Sequence, residues 1–337
     1  MADPLVTGYD QRRLTMTRFL YLDYLVTRVA FALFLVLSVS SASLVLTHLA
    51  PGDYVSGTLG IEGSRHTAAE MRERLGLNKS LVTQYREWLT AAVHFDFGRS
   101  LLYDRPVRDL IPERAVNTAI LALAAVTVAT LLGIPLGIIA GSRPGAVIPH
   151  VIRAASMVLL SMPPLLTSLL LVFLAARTGW LPIAGMRSAI TPPSGATVDL
   201  LQHLLIPAAA IGLPLAAMIE RLQAQAISEV LAEPYVLATL ARGLPRSRVI
   251  WRHAFKASLR PVASVYGLIV ATLLSGSFVV EVITAWPGLG SLMLDALRTR
   301  DVYLVVGCAG TGAVFLAAGT LLSDLALVAV DPRTKEP

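Results

Sequence analysis

The chain has 337 residues, of which 55% are hydrophobic and only 15% are charged. Soluble domains carry about 25% charged residues, so this composition excludes an ordinary soluble protein and predicts an all-α polytopic membrane protein. The net charge of +6 does not indicate nucleic acid, because the basic residues are not gathered on one face and basic loops beside a membrane give the same total. The single cysteine, Cys308, excludes a disulfide framework and a Cys-based metal site.

Six segments are apolar enough to cross a membrane, for which a helix needs about 20 residues. The third segment contains Pro163 and Pro164, which predict a kink. The fourth is the shortest and contains Pro207 and Pro214, which either break a helix beside a substrate cavity or bend it for packing. The predicted spans are residues 29–49, 119–140, 154–176, 204–219, 262–280 and 302–330.

The charges of the connecting segments predict how these spans are oriented. Residues 220–261 contain seven bases and three acids, whereas residues 51–114 contain nine of each, and short basic loops remain in the cytoplasm. Both termini are therefore expected inside. This divides the chain into a cytoplasmic segment 1–28, a first span 29–49, a small external subdomain 50–118, a transmembrane domain 119–330 that includes the cytoplasmic loop 220–261, and a cytoplasmic tail 331–337.

The stretch "EPYVLATLARGLPRSRVIWRH" (233–253) lies between two apolar regions and predicts two short helices. Pro234 suits the first turn of a helix, Gly243 supplies the left-handed residue that ends it, and Pro245 prevents its continuation. A second helix begins at about Arg246, and its basic residues recur every four positions. This second helix suits a surface of anionic lipid, whereas the uncharged first helix favours docking of a protein. The basic residues are Arg248, Arg252, Lys256 and Arg260.

The longer stretch "EPYVLATLARGLPRSRVIWRHAFKASLRP" resembles the cytoplasmic coupling loop of ABC importer permeases in the dipeptide, oligopeptide and nickel branch. It departs from that family at residues 237–240, where a Thr-Ala step flanked by Arg is more usual, and Arg242 replaces the usual Lys. The resemblance implies contact with a separate ATPase. The residues implied in this coupling are Glu233, Tyr235, Val236, Ala238, Ala241, Arg242, Gly243, Leu244 and His253.

Other segments resemble the same family along nearly the whole chain. They include "LAPGD" (49–53), "RERLGLNKSLVTQYREWL" (72–89), "ERAVNT" (113–118) without the usual Pro at Val116, and "VVEVITAWPGLGSLMLDALRTRD" (279–301). The resemblance implies the type I ABC importer permease fold in the inner membrane. It also implies a second homologous permease, two ATP-binding subunits or one fused ATPase, and an external solute-binding protein.

The resemblance implies peptide import, with dipeptides, oligopeptides, glutathione and nickel complexes left open as the solute. The chain contains no G-x-x-x-x-G-K-[ST] motif, so we expect it to be a pathway subunit rather than an enzyme. ATP and Mg²⁺ would then be held by the partner ATPases, with no cofactor or metal in this chain. Its six histidines are scattered and form no HExxH motif.

A second candidate site is the segment around Glu281, Pro287, Gly288 and Gly290. A carboxylate in hydrocarbon costs about 2.5–3.5 kcal/mol on insertion scales, so it needs a partner or a role in a pathway. Glu281 either caps the "WPGLG" turn, which we favour, or belongs to a gate. The two glycines do not complete a nucleotide-binding G-x-G-x-x-G motif.

Two other classes of membrane protein remain as alternatives. A secondary transporter or channel would couple through ionisable residues inside its spans, for which Asp324 and Glu281 are the candidates. An integral membrane enzyme would need a convergent nucleophile and base, and the sequence offers no convincing pair.

Overall fold

The structure is a computed structural model that describes residues 4–50, 52–59, 65–75, 77–94, 96–143, 145–188 and 195–330. Helices form its framework, and no β-strand occurs within these ranges. The predicted tail 331–337 lies outside the described residues. The helices are α1 (Pro4–Leu49), α2 (Tyr54–Leu59), α3 (Arg65–Arg74), α4 (Leu81–Val93), α5 (Val107–Ser142), α6 (Val147–Ser161), α7 (Pro164–Thr178), α8 (Ala196–Leu231), α9 (Pro234–Ala241), α10 (Arg246–Arg248), α11 (Phe255–Ile283), α12 (Leu289–Thr299) and α13 (Val302–Val330).

Five helical stretches among the described residues are long and apolar enough to cross a membrane, and a bent helix pair makes a sixth if it counts as one span. This agrees with the expectation of about six spans. The five stretches are Val26–Leu49, Val107–Ser142, Ala196–Leu231, Arg246–Ile283 and Val302–Leu325.

The bent pair is α6 and α7, whose axes differ by 107°. The sequence predicts one kinked span over 154–176, but the chain breaks at Met162 and Pro163, which are both extended. A residue before proline is pushed out of the helical region, and two successive prolines apply this constraint twice. Pro164 then occupies the first turn of α7, where its missing N–H costs nothing. The two prolines therefore separate two helices.

Helix α8 is longer than the predicted span 204–219 and continues through both Pro207 and Pro214 to Leu231. Glu220, which the charge count places in the loop 220–261, is therefore inside this helix and only 1% exposed. The apolar run in the sequence ends at Ile219, but the backbone hydrogen bonding of a helix does not end with it. The predicted loop is also too long at its other end, because α11 already begins at Phe255.

The centre of the bundle is the contact between α5 and α8. Three glycines, Gly133, Gly137 and Gly141, place one face of α5 against α8. A Cβ atom on Gly137 would lie 2.6 Å from the Cβ of Gln223, and one on Gly141 would lie 2.2 Å from the carbonyl oxygen of Ala224. Small residues at every fourth position allow two membrane helices to approach this closely.

The segment between the first two spans contains the short helices α2, α3 and α4. Helix α4 packs Trp88 against Leu44 of α1 and Val306 of α13. The predicted subdomain boundary at residue 118 falls inside a helix, because α5 already begins at Val107. Residues 107–118 are thus continuous with the second membrane helix.

Candidate functional site

Helix α9 has the bounds that its prolines and glycine predict, from Pro234 to Ala241. Glu233 is extended (φ −65°, ψ 140°) at the N-cap, as expected of a residue before proline, and its side chain makes no capping hydrogen bond. Val236 is fully buried, whereas Tyr235 and Leu237 are 49% and 53% exposed. The helix is therefore anchored by one side chain and exposes a large apolar side chain on either side of that anchor.

Gly243 ends this unit in a left-handed conformation, with φ at +83°. Its N–H donates to the carbonyl of Leu240 at 2.9 Å. Apart from its two chain neighbours, no residue lies within 4 Å of the position that a Cβ would occupy. A side chain there would meet backbone strain and no steric collision. The other predicted coupling residues here are exposed or half-buried, namely Ala238, Ala241, Arg242 and Leu244.

The second helix begins at Arg246 as predicted, but it is not regular. A π-helix over Val249–Ala254 joins α10 to α11, so the expected α-helical spacing of the basic residues is interrupted. The Arg246 guanidinium donates to the carbonyl of Ser142 at 2.7 Å, which ties this helix to the end of α5. The bases Arg248, Arg252, Lys256 and Arg260 are all exposed, as is His253.

Trp251 lies beside this basic surface and is 54% exposed. Its ring centroid lies 5.7 Å from that of Phe255, with the two planes tilted by 56°. Residues 234–254, called here the coupling segment, therefore carry three large exposed apolar side chains together with exposed bases.

The second candidate site is a carboxylate clamp, formed by Glu281 and its three hydrogen-bond donors. Glu281 is fully buried. One of its carboxylate oxygens accepts from the Thr118 hydroxyl at 2.7 Å, and the other accepts from the N–H groups of Gly290 at 2.6 Å and Ser291 at 3.3 Å. The clamp joins α5, α11 and the first turn of α12 in one contact. Its acceptors are directed at backbone donors that the start of a helix leaves unpaired.

The predicted residues Gly288 and Gly290 are brought together with Glu281, and their lack of side chains is what allows the clamp. A Cβ on Gly288 would lie 2.4 Å from the carboxylate of Glu281, and one on Gly290 would lie 2.6 Å from the Cα of Phe278. Pro287 contributes through its carbonyl, which accepts from the Asn117 side chain at 2.8 Å. This geometry favours the structural role of Glu281.

A second buried carboxylate, Asp301, holds the other end of α12. It accepts from the Ser100 hydroxyl at 2.6 Å and from the N–H groups of Leu102 at 3.1 Å and Leu304 at 3.2 Å. Thr118 and Asp301 both lie in segments that resemble the family, but the sequence pattern indicates no role for either of them. Apart from Leu304, their partners are distant along the chain, so no local pattern identifies these contacts.

The two acids that a secondary transporter would use both have partners. Glu281 lies in the clamp, and Asp324 forms an ion pair with Arg28 of α1. Within the described ranges, no group of three His, Cys, Asp or Glu side chains is placed to hold a metal ion.

Comparison with known proteins shows the family. Residues 133–336 match the family described as "Binding-protein-dependent transport system inner membrane component", and residues 21–122 match its N-terminal counterpart. The chain is 30% identical over 312 residues to the oligopeptide transport system permease protein AppB of Bacillus subtilis, covering 92% of this chain and 98% of that protein. It is 31% identical over 337 residues to the dipeptide transport system permease protein DppB of Escherichia coli, covering 93% and 99%. With these matches and its apolar helices, the chain belongs to the inner membrane components of binding-protein-dependent transport systems, the multi-pass permease subunits of ABC importers with the type I fold.

Proposed function

We propose that this chain is one of two homologous membrane subunits of an ATP-driven importer for di- or oligopeptides. The support is its family and its similarity over almost the full length to permeases named for oligopeptide and dipeptide transport. An external solute-binding protein delivers the peptide. ATP and Mg²⁺ are held by two ATPase subunits or one fused ATPase. Both termini and the coupling segment lie in the cytoplasm, as the loop charges indicate.

The observation that carries the coupling role is the exposed apolar surface of α9. Tyr235 and Leu237 are half exposed on a helix of eight residues that Val236 fixes to the bundle. Contiguous apolar groups rimmed by charged residues are typical of surfaces that bind another protein. The exposed Trp251 and the adjacent bases extend this surface. Its partner is therefore the ATPase, which meets α9 with an apolar groove.

The coupling segment is attached to the bundle so that a push on α9 reaches the membrane helices. Only Ala232 and Glu233 separate α8 from α9, and the N–H of Ala232 still donates to the carbonyl of Glu229 at 3.1 Å. On the other side, Arg246 is bonded to the end of α5. Movement of α9 by the ATPase would tilt α8 and α5 as packed units, which is two-state gating through a rigid contact.

Replacing Gly243 with valine tests the lever directly. The substitution strains a left-handed turn without filling any occupied space, so it disturbs the exit from α9 and leaves the core intact. We expect peptide uptake by the reconstituted complex, and ATP hydrolysis stimulated by loaded binding protein, to fall about tenfold or more. Unchanged uptake and stimulation would show that α9 is not the lever.

Gly179 provides the matched control for that variant. It also has a positive φ, +67°, and nothing within 4 Å of its Cβ position, but it ends α7 rather than α9. Gly179→Val should therefore retain uptake. Affinity purification of the tagged chain should bring down an ATPase, and uptake should require ATP; uptake by the chain alone would contradict the proposed function.

A further inference from the structure

A cavity with several charged side chains in its lining lies between α6 and α8 and has no place in the sites described above. It has a volume of about 400 Å³. We call it the α6–α8 cleft. Two arginines and two glutamates line it, so positive and negative side chains lie side by side between two membrane helices. The residues that matter are Arg153 of α6 and Glu220, Arg221, Gln225, Ser228 and Glu229 of α8.

Glu220 is the unusual member of this set. It is 1% exposed, and neither of its carboxylate oxygens has a hydrogen-bond partner among the described residues. It also lines a second cavity of about 260 Å³, which is apolar and is lined by residues of α5, α6 and α8. A buried carboxylate without a donor is costly, and in membrane proteins such residues mark pathways and ligand sites. Glu281 and Asp301, by contrast, are buried acids whose carboxylates each accept three hydrogen bonds.

The other charged groups of the cleft are not used to neutralise Glu220. The Arg153 guanidinium donates to the carbonyl of Ala140 at 3.1 Å, which leaves further N–H groups for another acceptor. Glu229 accepts from the Gln225 side chain at 3.0 Å, and Arg221 is exposed. The cleft thus has a carboxylate lacking a donor and guanidinium groups with donors to spare.

We infer that the α6–α8 cleft is a subsite for the transported peptide, in which Glu220 accepts the α-ammonium group. The guanidinium groups of Arg153 and Arg221 bind the peptide carboxylate, and Ser228 offers a hydroxyl to the peptide bond. At neutral pH a peptide has a positive amino terminus and a negative carboxyl terminus, and the cleft offers a side chain of opposite charge to each. This inference rests on the proposed function. Because α8 leads directly into α9, a peptide here lies on the helix that the ATPase moves.

The test uses the complete complex in proteoliposomes with a radiolabelled dipeptide that its purified binding protein is first shown to bind. We expect Glu220→Gln to lower the maximal uptake rate about tenfold or more, with ATP hydrolysis within about twofold of the unaltered complex. The thermal unfolding midpoint should be unchanged or higher, because the variant removes a buried unpaired charge. Glu220→Asp should recover part of the rate.

Glu113→Gln is the control, since it removes an exposed carboxylate of α5 that lies outside the cleft. It should transport at the unaltered rate. Uptake by Glu220→Gln equal to that of the unaltered complex would overturn the subsite and leave the proposed function standing. An unaltered complex that takes up no peptide from loaded binding protein would instead refute the proposed function itself.

Two further measurements separate a peptide subsite from an internal ion pair. If the exchange Glu220→Arg with Arg153→Glu restores uptake that each single change abolishes, then Glu220 pairs with Arg153 and the subsite is wrong. A dipeptide carrying a photoreactive benzophenone should cross-link to residues 220–229 of the unaltered chain. Cross-links confined to other helices would also overturn the inference.

Discussion

Replacing Glu281 with glutamine keeps the size of the side chain and removes one of the acceptors on which the carboxylate clamp depends. The carboxylate accepts three hydrogen bonds, from Thr118 at 2.7 Å, Gly290 at 2.6 Å and Ser291 at 3.3 Å. The amide can retain one oxygen facing the backbone donors, but its NH₂ group then faces the Thr118 hydroxyl. Since a hydrogen bond to a charged group contributes about 1.5–3 kcal/mol, we expect a loss of that size.

Replacing Glu281 with alanine should be far more damaging. It leaves the Thr118 hydroxyl and the Gly290 N–H buried without an acceptor, at about 1–3 kcal/mol each, and adds a cavity. The total of about 3–6 kcal/mol is comparable to the whole stability of many domains. Glutamine is therefore the informative variant, because alanine is expected to reduce the yield of folded protein.

The assay combines thermal unfolding of the purified complex with peptide uptake in proteoliposomes. If Glu281 is a structural clamp, Glu281→Gln lowers the unfolding midpoint, and uptake per folded complex stays close to normal. Glu113→Gln is the control, because Glu113 is an exposed carboxylate on the same helix as Thr118. An unchanged midpoint together with lost uptake would refute the clamp and identify Glu281 as part of a gate.

Asp301→Asn should destabilise the complex by about 1–3 kcal/mol, because the amide cannot accept from Ser100 and both backbone donors at once, and thermal unfolding measures this. Gly137→Leu should abolish assembly, since even a Cβ would approach Gln223 within 2.6 Å, and membrane yield measures it; a normal yield would refute the close contact. The Arg72 guanidinium holds the pKa of Asp53 well below its usual range. The stabilisation that this ion pair contributes is therefore present above about pH 4 and is lost as the pH falls. Hydrogen exchange of residues 52–59, corrected for intrinsic rates, should show this loss in the unaltered chain and none in Asp53→Asn.

Helix α9 was predictable because its signals are local. Pro234 fixes the backbone at its start and Gly243 allows the left-handed residue at its end, and both act through their own dihedral angles. The apolar spans were predictable for the same reason, since a run of about 20 apolar residues is sufficient to identify a membrane helix. The ends of the spans were predicted less accurately, because a helix such as α8 continues beyond its apolar run.

The sequence by itself determined that this is an α-helical membrane protein with an uncharged helix between two basic-flanked spans. Only the tertiary structure decided what its buried acids do. Glu281 meets Thr118 of a different helix, and Glu220, which lies just past the apolar run and was therefore expected in a loop, is buried without a hydrogen-bond partner beside the α6–α8 cleft. The physical reason is that helix formation depends on neighbours along the chain, whereas the pairing of a buried charge depends on which helices pack around it.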